Sequence, residues 1–178
     1  MRRRDRPLDP LKSSDLEWFA LRYVERYATT RGKLGDYLRR KIRERGWSGE
    51  EQPDVAALAQ RMADLGYVND RAFAESKAGA MGRRGLGARR VTQALRFDGI
   101  EGEDAEAVRP ILEENTAASV IAFARRKSIG PYARALADRP LQEKQVAAMV
   151  RAGHAPHLAR VIVRMAPGED AEALLASD

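Results

Sequence analysis

The chain has two histidines, His154 and His157, three residues apart beside Pro156. Imidazole is the side chain best suited to proton transfer or metal ligation near neutral pH. A zinc site, however, takes three or four ligands, and no nearby Asp or Glu completes one around this pair. A place at a helix start or on the surface is the expectation for both, with no metal and no cofactor. The acidic pairs Glu103–Asp104 and Glu113–Glu114 read as solvated helix faces. No serine sits in a nucleophile-elbow context. Cysteine is absent, which removes thiolate nucleophiles, cysteine-bound zinc and disulfides together and fits a reducing, cytoplasmic setting. No catalytic constellation can be assembled, so a non-enzymatic protein is expected.

Positive charge is the remaining chemical resource. The Gly-rich stretch GAMGRRGLGARR, Gly79 to Arg90, suggests a phosphate loop, but no strand precedes it and no Gly-Lys-Ser/Thr closes it. It is expected to be a flexible joint between helices, whose flanking Arg83, Arg84, Arg89 and Arg90 can reach an acidic partner. A denser cluster lies in KLGDYLRRKIRERGW, where Leu34, Leu38 and Ile42 form one helical face and Arg39, Arg40, Lys41 and Arg43 occupy the rest. Phosphates or acidic side chains would suit that surface; a solvated amphipathic helix would present the same pattern. Arg125 and Arg126 make a third pair. Residues 1–49 carry 14 Lys and Arg against 7 Asp and Glu, whereas residues 101–178 carry 10 against 12. The basic excess therefore lies toward the N-terminus and implies an acidic partner such as nucleic acid or an acidic protein groove.

These residues must be held by helices. Ser14 and Glu17 have capping-box spacing, and Leu16, Phe19, Ala20, Tyr23, Val24 and Tyr27 follow on one helical face. A second helix carries the basic cluster and ends at Gly46. A third starts near Pro53, carries Val55, Leu58, Ala59, Met62 and Leu65, and stops at Gly66. The segment LGYVNDRAFAES then combines a left-handed glycine stop, an Asn69 cap and a Val68/Phe73 staple in a tight corner. Gly46, Gly99 and Gly153 are spaced by 53 and 54 residues. Matching apolar positions accompany them: Ile42, Leu95 and Met149 before, and Val55, Val108 and Ile162 after. A constant period of this kind marks a repeat of about three helices. Pro110 falls inside the expected third helix of the second repeat and should kink or split it.

The fold class expected is all-α, as three tandem three-helix repeats in an elongated, curved arrangement. The expected boundaries are a basic tail at 1–13, repeats at 14–67, 68–115 and 116–167, and a C-terminal tail at 168–178. The longest apolar run, Ala117 to Ala124, is far shorter than the ~18 residues of a membrane span. A monomer with no membrane contact is expected.

Taken in order, ALRYVERYATTRGKLGDYLRRKIRERG, LGYVNDRAFAES, RRGLGARRVTQALRFDGI, FARRKSIGPY and KQVAAMVRAGHAPHLARVIV resemble the RecX family of bacterial recombinase regulators. The resemblance runs from about Leu16 to Met165, and Asn69 stands where the family more often has Asp. It implies a regulator, usually negative, of RecA. Such a protein lies in the groove of the RecA–single-stranded DNA filament, limits its extension and depresses ATP hydrolysis and strand exchange in DNA repair and recombination. Weak direct DNA contact is compatible with this role. The contact residues expected from charge clustering are Arg39, Arg40, Lys41 and Arg43, then Arg83, Arg84, Arg89 and Arg90, then Arg125 and Arg126. A stand-alone, helix-turn-helix-like DNA-binding protein is the alternative.

Overall fold

The computed structural model describes residues 9–175, with side chains to residue 173. The remainder of both expected tails, residues 1–8 and 176–178, lies outside the described residues. Within them the chain is all-α, with α1 (Ser13–Arg26), α2 (Arg31–Arg45), α3 (Val55–Asp64), α4 (Asp70–Arg83), α5 (Ala88–Phe97), α6 (Gly102–Glu106), α7 (Arg109–Glu114), α8 (Thr116–Lys127), α9 (Arg139–Arg151), α10 (Pro156–Arg164) and α11 (Ala171–Leu175). A single 3₁₀ turn, Gly130–Tyr132, lies between α8 and α9. Pro110 does interrupt its helix: it opens α7, and the buried Val108 separates α7 from α6.

The helices group into two compact units. One runs to Phe73 and adds Asp98–Ile100; the other is Ala74–Phe97 with the chain from Glu101 onward. In the first, α1, α2 and α3 bury Leu16, Ala20, Leu34, Leu38, Val55, Ala59 and Met62 in one core. Leu11, inside the expected basic tail, is fully buried with them and pairs its backbone with Gly46 and Ser48. The start of α1 differs from expectation: its cap position is Lys12, whose N–H donates to Asp15 at 2.9 Å. Likewise Asp54 caps α3 by accepting from the Ala57 N–H, leaving Pro53 just outside the helix.

The corner after α3 forms as its residues dictate. Gly66 has φ +81°, and the N–H groups of Tyr67 and Gly66 return to the carbonyls of Met62 and Ala63. That is the paired hydrogen-bond pattern of a Schellman stop. Asn69 Oδ1 then accepts from the Ala72 N–H at 2.8 Å and starts α4. Gly46, Gly99 and Gly153 all have positive φ at or just beyond the ends of α2, α5 and α9. A left-handed residue is needed at each of these stops, which explains why the same residue type recurs at that period.

In the second unit, Val120, Phe123, Ala124, Ile129, Met149, Ala159, Ile162 and Val163 make the core. The Gly-rich segment is a packed backbone crossing here, which corrects the expected flexible joint. Gly85 and Gly87 are buried, the Gly87 N–H donates to the Ala152 carbonyl, and the Arg89 N–H donates to that of Gly153. A Cβ on Gly87 would collide with the Gly153 backbone. Glycine is required by close approach, because the two segments touch through their main-chain atoms.

Candidate interface built from arginine clusters

Helix α2 owes its orientation to its N-terminus. Its first turn contains no acidic residue, yet two buried carboxylates from distant positions complete it. Asp70 accepts from the Arg31 N–H at 2.9 Å and from Arg31 Nε at 3.0 Å. Asp98 pairs with Lys33 Nζ at 2.9 Å, while Thr30, the cap, donates its hydroxyl to the Asp98 carbonyl and accepts from the Lys33 N–H. Carboxylates at a helix N-terminus satisfy unpaired N–H groups and oppose the positive end of the dipole. The helix is thereby fixed with Leu34 and Leu38 inward and its basic face outward.

On that face the charges are partly compensated. Arg39 pairs with Asp36 at 2.8 Å, Lys41 with Glu44 at 2.7 Å, and Arg40 reaches Glu44 at 3.7 Å. The Lys41 hydrogen bond, followed by the surrounding positive charge, holds the Glu44 carboxyl below its usual range. Arg43 makes no ion pair among the described residues and lines a groove with Lys33, Tyr37 and Arg40.

The four arginines around the Gly-rich segment do not act as one cluster. The Arg83 side chain lies back along α4 toward Gly79. The Arg84 carbonyl accepts from Arg126 Nη1 at 2.6 Å, and the Arg126 guanidinium lies 5.6 Å from the Phe123 ring. Arg125 sits over Tyr132 and only approaches Glu172, at 4.0 Å. Arg89 and Arg90 instead line an open groove of ≈ 680 Å³ between α5 and the end of α9. Arg96 and Arg151 line the same groove, and among the described residues no carboxylate does. None of the four forms an ion pair among the described residues; Arg90 donates to Gln93 at 2.9 Å.

Arg96 and Arg151 were absent from the sequence-based set. One signal was available for Arg96, which stands 53 residues after Arg43, one repeat period on. Arg151 joins only because the backbone crossing brings α9 against α5. His154 is also corrected: it is buried, with Nε2 3.1 Å from the Gly85 carbonyl and its ring 5.4 Å from that of Phe123. A carbonyl can only accept, so the neutral ring carries its proton on Nε2. Burial lowers its pKa and the Gly85 hydrogen bond partly opposes this. His157 is exposed. Among the described residues no cluster of metal-ligating side chains occurs, and no helix is long and apolar enough to cross a membrane.

Known proteins resemble this chain in sequence and in fold. The family model described as RecX, second three-helix domain, matches residues 69–108. The regulatory protein RecX of Myxococcus xanthus is 32% identical over 174 residues, covering 90% of this chain and 91% of the relative. That of Agrobacterium fabrum is 28% identical over 160 residues, covering 88% and 85%. The crystal structure of RecX from Lactobacillus salivarius superposes with a TM-score of 0.64 at 21% identity, covering 84% of this chain and 93% of that one. A second crystal structure, of a regulatory protein RecX, gives 0.60 at 17% identity, covering 84% and 70%.

Proposed function

Because this chain belongs to the RecX family of regulatory proteins, we propose that it binds the RecA–single-stranded DNA filament and limits its extension, ATP hydrolysis and strand exchange. It acts in the cytoplasm, as a monomer, without catalysis of its own. The observation that supports this reading best is the groove lined by Arg89, Arg90, Arg96 and Arg151 and, among the described residues, by no carboxylate. Guanidinium groups in that arrangement suit carboxylates or phosphates, which they bind in bidentate fashion. The basic face of α2, with Arg39, Arg40, Lys41 and Arg43, supplies a second set of contacts, and the Arg83, Arg84, Arg125 and Arg126 group a third. Several modest contacts on tandem repeats bind a repeating filament more tightly than any one alone. A ligand shifts the filament between states only by its differential affinity for them, so the bound state must be the less active one.

The experiment adds substoichiometric protein to RecA filaments on single-stranded DNA and follows ATP hydrolysis. A fall in rate is expected, and the Arg89→Glu/Arg96→Glu variant should require at least about tenfold more protein for the same inhibition, since each lost charge-assisted contact is worth ~1.5–3 kcal/mol. Unchanged hydrolysis would sink the proposal. Tight duplex binding without RecA, with a steep salt dependence, would favour a stand-alone DNA-binding protein instead.

A further inference from the structure

The outer side of α1 and α2 carries chemistry that the arginine groove does not use. Five of the chain's eleven aromatic side chains, Trp18, Phe19, Tyr23, Tyr27 and Tyr37, line one open groove of ≈ 720 Å³. They form a continuous array. Tyr23 and Tyr37 are stacked at 4.2 Å with 21° between planes, Tyr27 follows Tyr23 at 5.2 Å, and Trp18 meets Phe19 edge-on at 5.2 Å. Trp18 and Tyr27, at the two ends of the array, remain 56% and 50% exposed. The core of this unit therefore does not account for them.

Cations border the rings. The guanidinium of Arg22 lies 5.7 Å from the Trp18 ring, that of Arg26 5.8 Å from Tyr27, and that of Arg40 5.5 Å from Tyr37. Lys41 Nζ lies 5.8 Å from Tyr37 on the same groove. Among the described residues, Glu25 is the one carboxylate lining it, and it faces Arg22 at a loose 3.8 Å. Arg22 and Arg40 are themselves 65% and 58% exposed, so their heads can turn to an incoming anion while the rings stay in place.

A ligand for this surface must offer flat rings and negative charge in alternation. An acidic peptide supplies charge without a row of flat rings. A duplex supplies phosphates but keeps its base faces stacked inside. A single strand supplies both, because its unpaired bases stack on aromatic side chains while its phosphates meet the flanking cations. We propose that the α1–α2 groove is a base-stacking site for single-stranded nucleic acid, with Trp18 and Tyr27 covering bases and Arg22, Arg26, Arg40 and Lys41 holding the backbone. None of its aromatic residues belongs to the arginine groove, and the proposal holds whether or not RecA is the regulated partner.

The full chain is tested without RecA in a Trp47→Phe background, which leaves Trp18 as the sole tryptophan. An oligothymidylate of about 12 nucleotides is expected to quench Trp18 emission as it binds. Trp18→Ala/Tyr27→Ala should weaken binding by about tenfold or more, read by anisotropy of a labelled strand, whereas Tyr27→Phe should retain it. Both alanines replace half-exposed side chains, and circular dichroism checks that the helices persist. Unquenched Trp18 on binding, equal affinity of the double variant, equal affinity for a duplex, or no binding at all would each overturn the proposal. Displacement of the strand by thymidine monophosphate at comparable concentration would overturn it too, by assigning the groove to a free nucleotide. If the chain with Trp18 and Tyr27 intact binds no strand yet still inhibits RecA, this site alone is removed; strand binding without RecA inhibition removes only the RecA reading.

Discussion

His154 shows how a residue with catalytic potential is spent on packing. Its neutral ring fills the space between Phe123 and the Gly85 carbonyl, and burial lowers its pKa. The unfolded chain, with a histidine pKa near ~6.5, then binds more protons than the folded one in the window just below that value. Stability from this site is complete above that pH and is lost as pH falls toward the lowered folded pKa. Urea midpoints measured from pH 7.5 to 5 should therefore fall more steeply for the native chain than for His154→Gln; parallel slopes would refute this. The glycines divide in a similarly local way. Gly66 has positive φ with nothing within 4 Å of a Cβ, so Gly66→Ala carries only the left-handed backbone strain, about 1–2 kcal/mol. Gly99 has φ +74° and also places a Cβ 2.8 Å from Gly32 Cα. Gly99→Ala should cost more than Gly66→Ala in chemical denaturation, because strain and collision act together.

At the scale of elements, α2 is legible in its sequence as an amphipathic basic helix, but what locks it is not. Its own first turn has no acid; Asp70 and Asp98 arrive from 39 and 65 or more positions along the chain. Asp70→Asn keeps the shape and removes the charge, so it should lower stability by about 1–3 kcal/mol in equilibrium unfolding. If the unfolding free energy is unchanged, Asp70 does not hold the helix. The corner at Gly66–Asp70 is the opposite case, since its stop and cap use groups within a few residues and were readable directly. Its acidic residue, Asp70, stands in the first turn of α4, yet its carboxylate accepts from Arg31 at the start of α2. The apolar stripe of α1 extends to Tyr27, but the core covers it only as far as Val24.

For the molecule as a whole, the period of 53 to 54 residues was visible because each repeat needs a left-handed stop at the same place. The grouping of the arginines was not, because it depends on which backbones cross. Arg89 and Arg90 part from Arg83 and Arg84 at the Gly85–Gly87 crossing and join Arg96 and Arg151. If contact with the filament is distributed over such clusters, RecA inhibition should weaken as ionic strength rises, since exposed charges are screened over about 8–10 Å at 0.1–0.15 M salt. Inhibition that is insensitive to salt would place the contact on apolar surface instead.

The sequence alone determined the helices, their stops, the repeat period and the basic character of α2, all of which rest on residues near one another along the chain. It determined the family as well, through motifs in fixed order. The tertiary structure decided that His154 is a buried packing residue, that the glycine-rich segment is a tight crossing, which arginines share a groove, and that five aromatic rings meet on one face of α1 and α2. The physical reason is common to these: helix periodicity and capping are local, whereas burial, charge pairing and ring stacking depend on distances between residues that only the packing of helices brings together.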